Sequence, residues 1–101
     1  MSRITDWDTF HDTFARTLGF PDFYGRTMNA WIDCLTYADE EDGMRAVTAG
    51  PGEILTLQLQ DFREFRTRCP QICEALIDCA AFVNWRRLQQ QSRSILALSY
   101  P

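Results

Sequence analysis

The sequence predicts a small α/β protein, a single domain of residues 1–101 in which helices pack on a short parallel sheet. Two apolar runs, ILTLQL at 54–59 and ILALS at 95–99, are typical of short buried strands. The segments before and between these runs repeat apolar residues at helical spacing. Two strands that are separated by helices are expected to pair in parallel through a right-handed crossover. A chain of 101 residues has room for one core of this kind.

The first helix is predicted over about residues 8–18. Its apolar side chains recur at every fourth position: Phe10, Phe14 and Leu18. Asp6 or Asp8 is suited to cap its start, and Gly19 is suited to end it because glycine adopts the left-handed conformation of helix C-termini. By its position on this helix, His11 is expected to be an ordinary surface residue.

A second helix is predicted over about residues 27–38, after an aromatic loop at 22–25. Its apolar side chains fall at i, i+3, i+4 and i+7: Met28, Trp31, Ile32 and Leu35. Polar side chains lie on another face: Asn29, Asp33 and Thr36. The spacing assigns Trp31 to the core. An acidic edge is thus carried by a helix that is anchored along its other side.

The second half of the chain predicts two more helices between the strands. Asp61 is suited to cap a short helix that carries Phe62 and Phe65. Pro70 suits the first turn of a longer helix that ends near Leu88. Apolar residues mark one side of that longer helix: Ile72, Leu76, Ala80 and Val83. The expected total is therefore about four helices.

Charge is distributed unevenly along the chain. Residues 1–44 hold nine acids and three arginines, a net charge of −6, whereas residues 45–101 hold five acids and seven arginines, a net charge of +2. A mildly acidic protein is a poor candidate for direct binding to nucleic acid, whose phosphates attract cations. The acidic half can attract a basic protein, or it can simply keep the surface solvated. No apolar run is long enough to span a membrane, and no secretory signal opens the chain, so we expect a cytoplasmic protein.

Cysteine and histidine content argues against an enzyme. Four cysteines occur without an export signal, and we expect buried reduced thiols at these positions: Cys34, Cys69, Cys73 and Cys79. The single histidine, His11, is a weak candidate base for a thiol nucleophile and a weak partner in a zinc site. No phosphate-binding loop or metal-ligand cluster is present, so no cofactor is expected.

The segment PDFYGRTMNAWIDCLT at 21–36 resembles the signature of the barstar family, the intracellular inhibitors of secreted bacterial ribonucleases. The resemblance begins in the first helix near Phe10 and continues without a gap for about 30 residues. It implies a three-stranded parallel sheet whose first strand precedes the first helix. In this chain that strand is truncated, or Arg3–Thr5 provides a vestigial edge, which gives a sheet of two to three strands.

The resemblance implies an inhibitor that plugs a nuclease active site. Asp33 falls at the central carboxylate, which takes the place of a substrate phosphate. The partner-binding positions carried over are Phe23, Tyr24, Gly25, Thr27, Asn29, Ile32, Asp33 and Thr36. The adjacent acidic run is assigned to electrostatic steering: Asp39, Glu40, Glu41 and Asp42. Tyr24 is expected to pack beneath the loop as much as to touch a partner, and Gly25 to serve the backbone turn first and partner approach second.

Several contact positions depart from the family pattern. Phe23 replaces a tyrosine, Asn29 an aspartate and Ile32 a tryptophan, while a further acid of the last long helix has only Asn84 nearby. The sequence does not decide whether Trp85 is a core residue or an exposed contact residue. We therefore expect an immunity protein that binds a different basic secreted ribonuclease, or another toxin nuclease, one-to-one. The alternative is a non-inhibitory interaction module that binds a regulator or itself.

Overall fold

A computed structural model describes residues 3–37 and 54–101 of the chain. These residues form four helices and two strands, in the order α1 (Trp7–Leu18), α2 (Met28–Thr36), β1 (Leu55–Gln58), α3 (Phe62–Arg68), α4 (Pro70–Gln89) and β2 (Leu96–Ser99). The predicted α/β class and the predicted helix count are confirmed. The bounds of α1, α2 and α4 lie within two residues of the expected ones: α1 starts one residue earlier, α2 is shorter at both ends, and α4 ends one residue later.

The sheet consists of β1 and β2 in parallel, with Leu55 opposite Leu96 and Gln58 opposite Ser99. Leu57 is buried whereas Thr56 and Gln58 are exposed, so β1 alternates between a covered and a solvent-facing side. A parallel pair needs a long connection, and α3 and α4 supply it. The expected pairing of the two apolar runs is confirmed.

The residues before α1 do not add a third strand among the residues described. Arg3–Thr5 lack strand structure, so the expected vestigial edge is wrong. Ile4 is instead fully buried, and its carbonyl accepts a hydrogen bond of 3.0 Å from Nε of Arg68. Its carbonyl therefore bonds to the end of α3 and does not join a sheet ladder.

Local capping residues explain where α1 begins and ends. The Asp6 side chain accepts from the backbone N–H of Thr9, and the Thr9 side chain in turn bonds the backbone N–H of Asp6, forming a capping box. Gly19 ends the helix with φ 67°, a conformation that costs glycine little. Asp6, of the two expected candidates, is thus the cap.

The helix α4 packs against α2, α3 and β2. Its buried side faces the core, and Arg87 reaches from it to donate a hydrogen bond of 2.8 Å to the carbonyl of Thr36 at the end of α2. Asn84 accepts from the backbone N–H groups of Ile95 and Leu96 and donates to the carbonyl of Leu96. Its side chain therefore fixes β2 against α4.

Two local expectations in the second half had different outcomes. Pro70 opens α4 as predicted. Asp61 stands at the start of α3, but it has φ 56° and its side chain makes no capping hydrogen bond, so the expected cap is wrong. None of the four cysteines forms a disulfide, and Cys34, Cys69 and Cys73 are buried while Cys79 is partly buried.

Candidate protein-interaction site

The loop between α1 and α2 projects one aromatic ring and buries the next. The side chain of Phe23 is 76% exposed, whereas Tyr24 is packed against the core. The backbone N–H of Tyr24 bonds the carbonyl of Pro21 at 2.9 Å, which closes the loop into a tight turn. The Phe23 ring is therefore held on a fixed turn where it is accessible to a partner.

A buried hydrogen bond lies beneath this loop. Nδ1 of His11 lies 2.6 Å from the hydroxyl oxygen of Tyr24. Burial lowers the pKa of His11 and raises the pKa of Tyr24, since each environment disfavours the charged form. The expectation that His11 is a surface residue is wrong. Its spacing of three and seven residues from Phe14 and Leu18 places it on the buried stripe of α1, and this signal was present in the sequence.

Within this loop, Arg26 and not Gly25 has a left-handed backbone conformation. Arg26 has φ 55°, and its guanidinium bonds Asp12 at 2.8 Å and lies 3.6 Å from Asp8, which ties the loop to α1. Gly25 lacks a positive φ, and a Cβ built on it would meet Ala30 at an ordinary 3.7 Å. The backbone therefore does not require glycine at position 25, contrary to expectation.

Asp33 forms an ion pair with an arginine that the sequence reasoning missed. Nη1 of Arg86 on α4 donates to Oδ1 of Asp33 at 2.6 Å. The Asp33 side chain is 51% exposed and that of Arg86 is 32% exposed. The Asp33 carboxylate raises the pKa of the Arg86 guanidinium by stabilising its charged form. Asn84, the residue considered as a counterpart for the family's further acid, is instead bonded to β2.

The remaining candidate positions divide into exposed and buried ones. Thr27 and Asn29 are exposed, although Thr27 also caps α2 by accepting from the backbone N–H of Ala30. Ile32 is buried, and the fully buried Thr36 donates its hydroxyl to the carbonyl of Ile32 at 2.7 Å. The side chains of Ile32 and Thr36 are therefore enclosed within the fold, which corrects their expected placement among the partner-binding positions.

A shallow groove joins the loop to α2. It has a volume of about 170 Å³ and is lined by Pro21, Phe23, Tyr24, Gly25, Ala30, Asp33 and Cys34. Phe23 and Asp33 thus belong to one continuous surface. The acidic run Asp39, Glu40, Glu41 and Asp42 lies outside the described residues.

Exposed aromatic side chains continue on α4 beside Arg86. Phe82 is one helical turn before Arg86, and its ring centroid lies 5.4 Å from that of Trp85. Both rings are about half exposed, which decides the open question on Trp85 in favour of exposure. Aromatic and arginine side chains together are enriched at protein interfaces.

Within the described residues, no group of three metal-binding side chains occurs and no helix is both long and apolar enough to cross a bilayer. The geometry is that of a small α/β protein with a candidate protein-interaction surface on the loop before α2 and on α2 itself. The sequence profile of the family described as Barstar (barnase inhibitor) matches residues 1–97. The chain belongs to the barstar family, a family of inhibitors and not of enzymes. No curated protein matches the chain.

Proposed function

We propose that this protein is an immunity protein that binds a secreted ribonuclease or related toxin nuclease and plugs its active site, with Asp33 in the position of a substrate phosphate. The single observation that carries the proposal is the half-exposed carboxylate of Asp33 on a helix whose other side is fully buried at Trp31 and Leu35. Membership of an inhibitor family supports the same role.

The chemistry of a nuclease active site explains why a carboxylate suits it. Such a site stabilises phosphate charge with preorganised cationic groups. The Asp33 carboxylate can accept charge-assisted hydrogen bonds from those groups, and Arg-carboxylate pairs are often bidentate. Because α2 is held by the core, Asp33 is presented with little loss of conformational entropy on binding.

The neighbouring residues supply the remainder of the proposed contact surface. Phe23 offers an exposed apolar ring, and Thr27 and Asn29 offer polar groups on the same loop and helix. Gly25 has no backbone reason to be glycine, so we assign it to close approach of the partner's backbone. Asp39–Asp42 are proposed to raise the association rate with a basic nuclease.

The test is inhibition of a panel of purified basic secreted ribonucleases, with barnase included. The panel also contains any nuclease recovered from the source organism's culture fluid on the immobilised protein. Asp33→Asn should weaken inhibition at least about 30-fold, because the partner's cations then lose their counter-charge. Asp61→Asn is the matched control: it removes the same charge outside the groove, and asparagine tolerates the left-handed backbone there. Equal inhibition by the Asp33→Asn variant and the parent protein would contradict the proposal.

The second candidate is a non-inhibitory interaction module on the same scaffold. It is favoured by the ion pair with Arg86, which already partners the carboxylate that an inhibitor would use. Stable binding to a protein other than a nuclease, with no effect on any nuclease of the panel, would favour this second function.

A further inference from the structure

The ion pair between Asp33 and Arg86 gives the proposed contact surface both signs of charge. One nitrogen of Arg86 meets one oxygen of Asp33, at 2.6 Å. A guanidinium carries five N–H donors and a carboxylate has about four acceptor positions, so each partner keeps capacity for further hydrogen bonds. Both side chains retain exposed surface. A protein that docks on Asp33 therefore meets Arg86 as well.

A purely cationic cleft would be a poor match for this pair. The cations that attract Asp33 would be brought close to the positive charge of Arg86 as water leaves the interface. Like charges that face each other at an interface cost affinity and exclude wrong partners. The net charge of the pair is zero, so its attraction to a uniformly positive site is weak.

Arg86 is not easily moved aside. Two thirds of its side chain is buried, and its ion pair with Asp33 joins α4 to α2. The next residue, Arg87, is buried and bonds the carbonyls of Thr36 and Arg93 at 2.8 and 2.7 Å, which fixes the backbone of α4 at this point. Rotation of Arg86 into solvent would break an ion pair and leave the carboxylate without its partner.

We propose that Arg86 is a specificity-determining residue that pairs with a carboxylate of the partner, located in the same cleft as the cations that bind Asp33. This inference rests on the proposed function and names its target more narrowly. A ribonuclease needs a general base, and an Asp or Glu side chain beside the phosphate-binding cations is one chemical form of that base. The target is thus a nuclease with a mixed-charge cleft.

The test is a double-mutant cycle across the complex, with the nuclease of the panel that the parent protein inhibits best. Arg86→Gln should weaken binding about tenfold or more, while Arg86→Lys, which keeps the charge, should lose less. One Asp or Glu of the nuclease cleft, changed to its amide, should then show a coupling of about tenfold or more with Arg86→Gln. Urea denaturation of each variant checks that it is folded.

The outcomes separate this inference from the proposed function. Binding of Arg86→Gln that equals or exceeds that of the parent would overturn the role of Arg86. So would a loss of affinity with no coupling to any cleft carboxylate, because Arg86 would then only position Asp33. Retained inhibition by Asp33→Asn would overturn the proposed function itself. If the parent protein inhibits no nuclease of the panel, both are overturned.

Discussion

Nδ1 of His11 lies 2.6 Å from the hydroxyl oxygen of Tyr24, and this buried pair supports the loop that carries Phe23. The pair joins α1 to the loop across 13 residues of sequence. The exposed ring of Phe23 is thus carried by a loop that rests on a buried histidine. The first prediction follows from the titration of His11.

Stability should fall as pH drops below about 6.5, the ordinary pKa of histidine. Burial lowers the pKa of His11 in the folded protein, so the unfolded chain binds the proton more readily. The stabilisation is fully present above pH 6.5 and is lost as pH falls towards the lowered pKa. Urea denaturation between pH 7.5 and 5 measures the effect.

The control for this prediction is His11→Gln, which has no proton to bind in that range. Its free energy of unfolding should be lower by about 1–3 kcal/mol at pH 7.5, since the Tyr24 hydroxyl loses its partner. The free energy of unfolding of this variant should also change less with pH than that of the parent protein. Identical slopes in the two proteins would rule out His11 as the group responsible.

Gly25→Ala should separate stability from binding. Because Gly25 lacks a positive φ and an added Cβ would make only an ordinary contact of 3.7 Å with Ala30, the variant should keep its stability within about 0.5 kcal/mol or gain slightly. Nuclease binding should weaken about tenfold or more if a partner backbone approaches closely there.

Gly19→Ala gives the reverse pattern and serves as the matched control. Its φ of 67° makes alanine strained, at a cost of about 1–2 kcal/mol, while the folded variant should bind normally. Thermal melting and an inhibition assay on both variants check the prediction. Unchanged binding by Gly25→Ala would show that position 25 lies outside the interface.

Asn84→Ala should destabilise the fold by about 2–3 kcal/mol and leave the intrinsic affinity for a partner unchanged. The side chain makes three hydrogen bonds to Ile95 and Leu96, and its loss leaves partly buried backbone groups unpaired. Asn29→Ala, at an exposed position, is the comparison and should change stability by less than about 0.5 kcal/mol. Equal melting curves would show that Asn84 does not fix β2 against α4.

Ile4→Ala should cost about 2–4 kcal/mol, because Ile4 is completely enclosed and its loss leaves a cavity. Ile54→Ala removes the same atoms from an exposed position and should cost much less. Denaturant unfolding of both variants makes the comparison. A small effect at Ile4 would mean that the N-terminal segment is not an anchor of the core.

The sequence was sufficient for several features that short-range chemistry decides, although the expected cap at Asp61 was wrong. The helix periodicity of α1 and α2 placed Phe10 and Trp31 in the core, and the glycine at position 19 marked a helix end. These features depend on residues within a few positions of each other. They can therefore be predicted without knowledge of the rest of the fold.

The sequence was insufficient where distant segments meet. Arg86 lies 53 residues from Asp33, and no periodicity links the two positions. The packing of α2 against α4 also widens the buried face, which encloses Ile32 and Thr36 although the family resemblance placed them among the partner-binding positions. His11 was misjudged for another reason, since its polar type outweighed its spacing.

The anchoring of Ile4 has a consequence for synthesis of the chain. Its carbonyl is bonded by Arg68 and by the thiol of Cys69, residues that lie 64 and 65 positions later. On a translating ribosome the N-terminus is made first, but it cannot dock until the residues around 69 have left the exit tunnel. The proposed contact surface of α2 also waits for Arg86 and Arg87. That surface is thus complete only after the last turn of α4 has emerged from the ribosome.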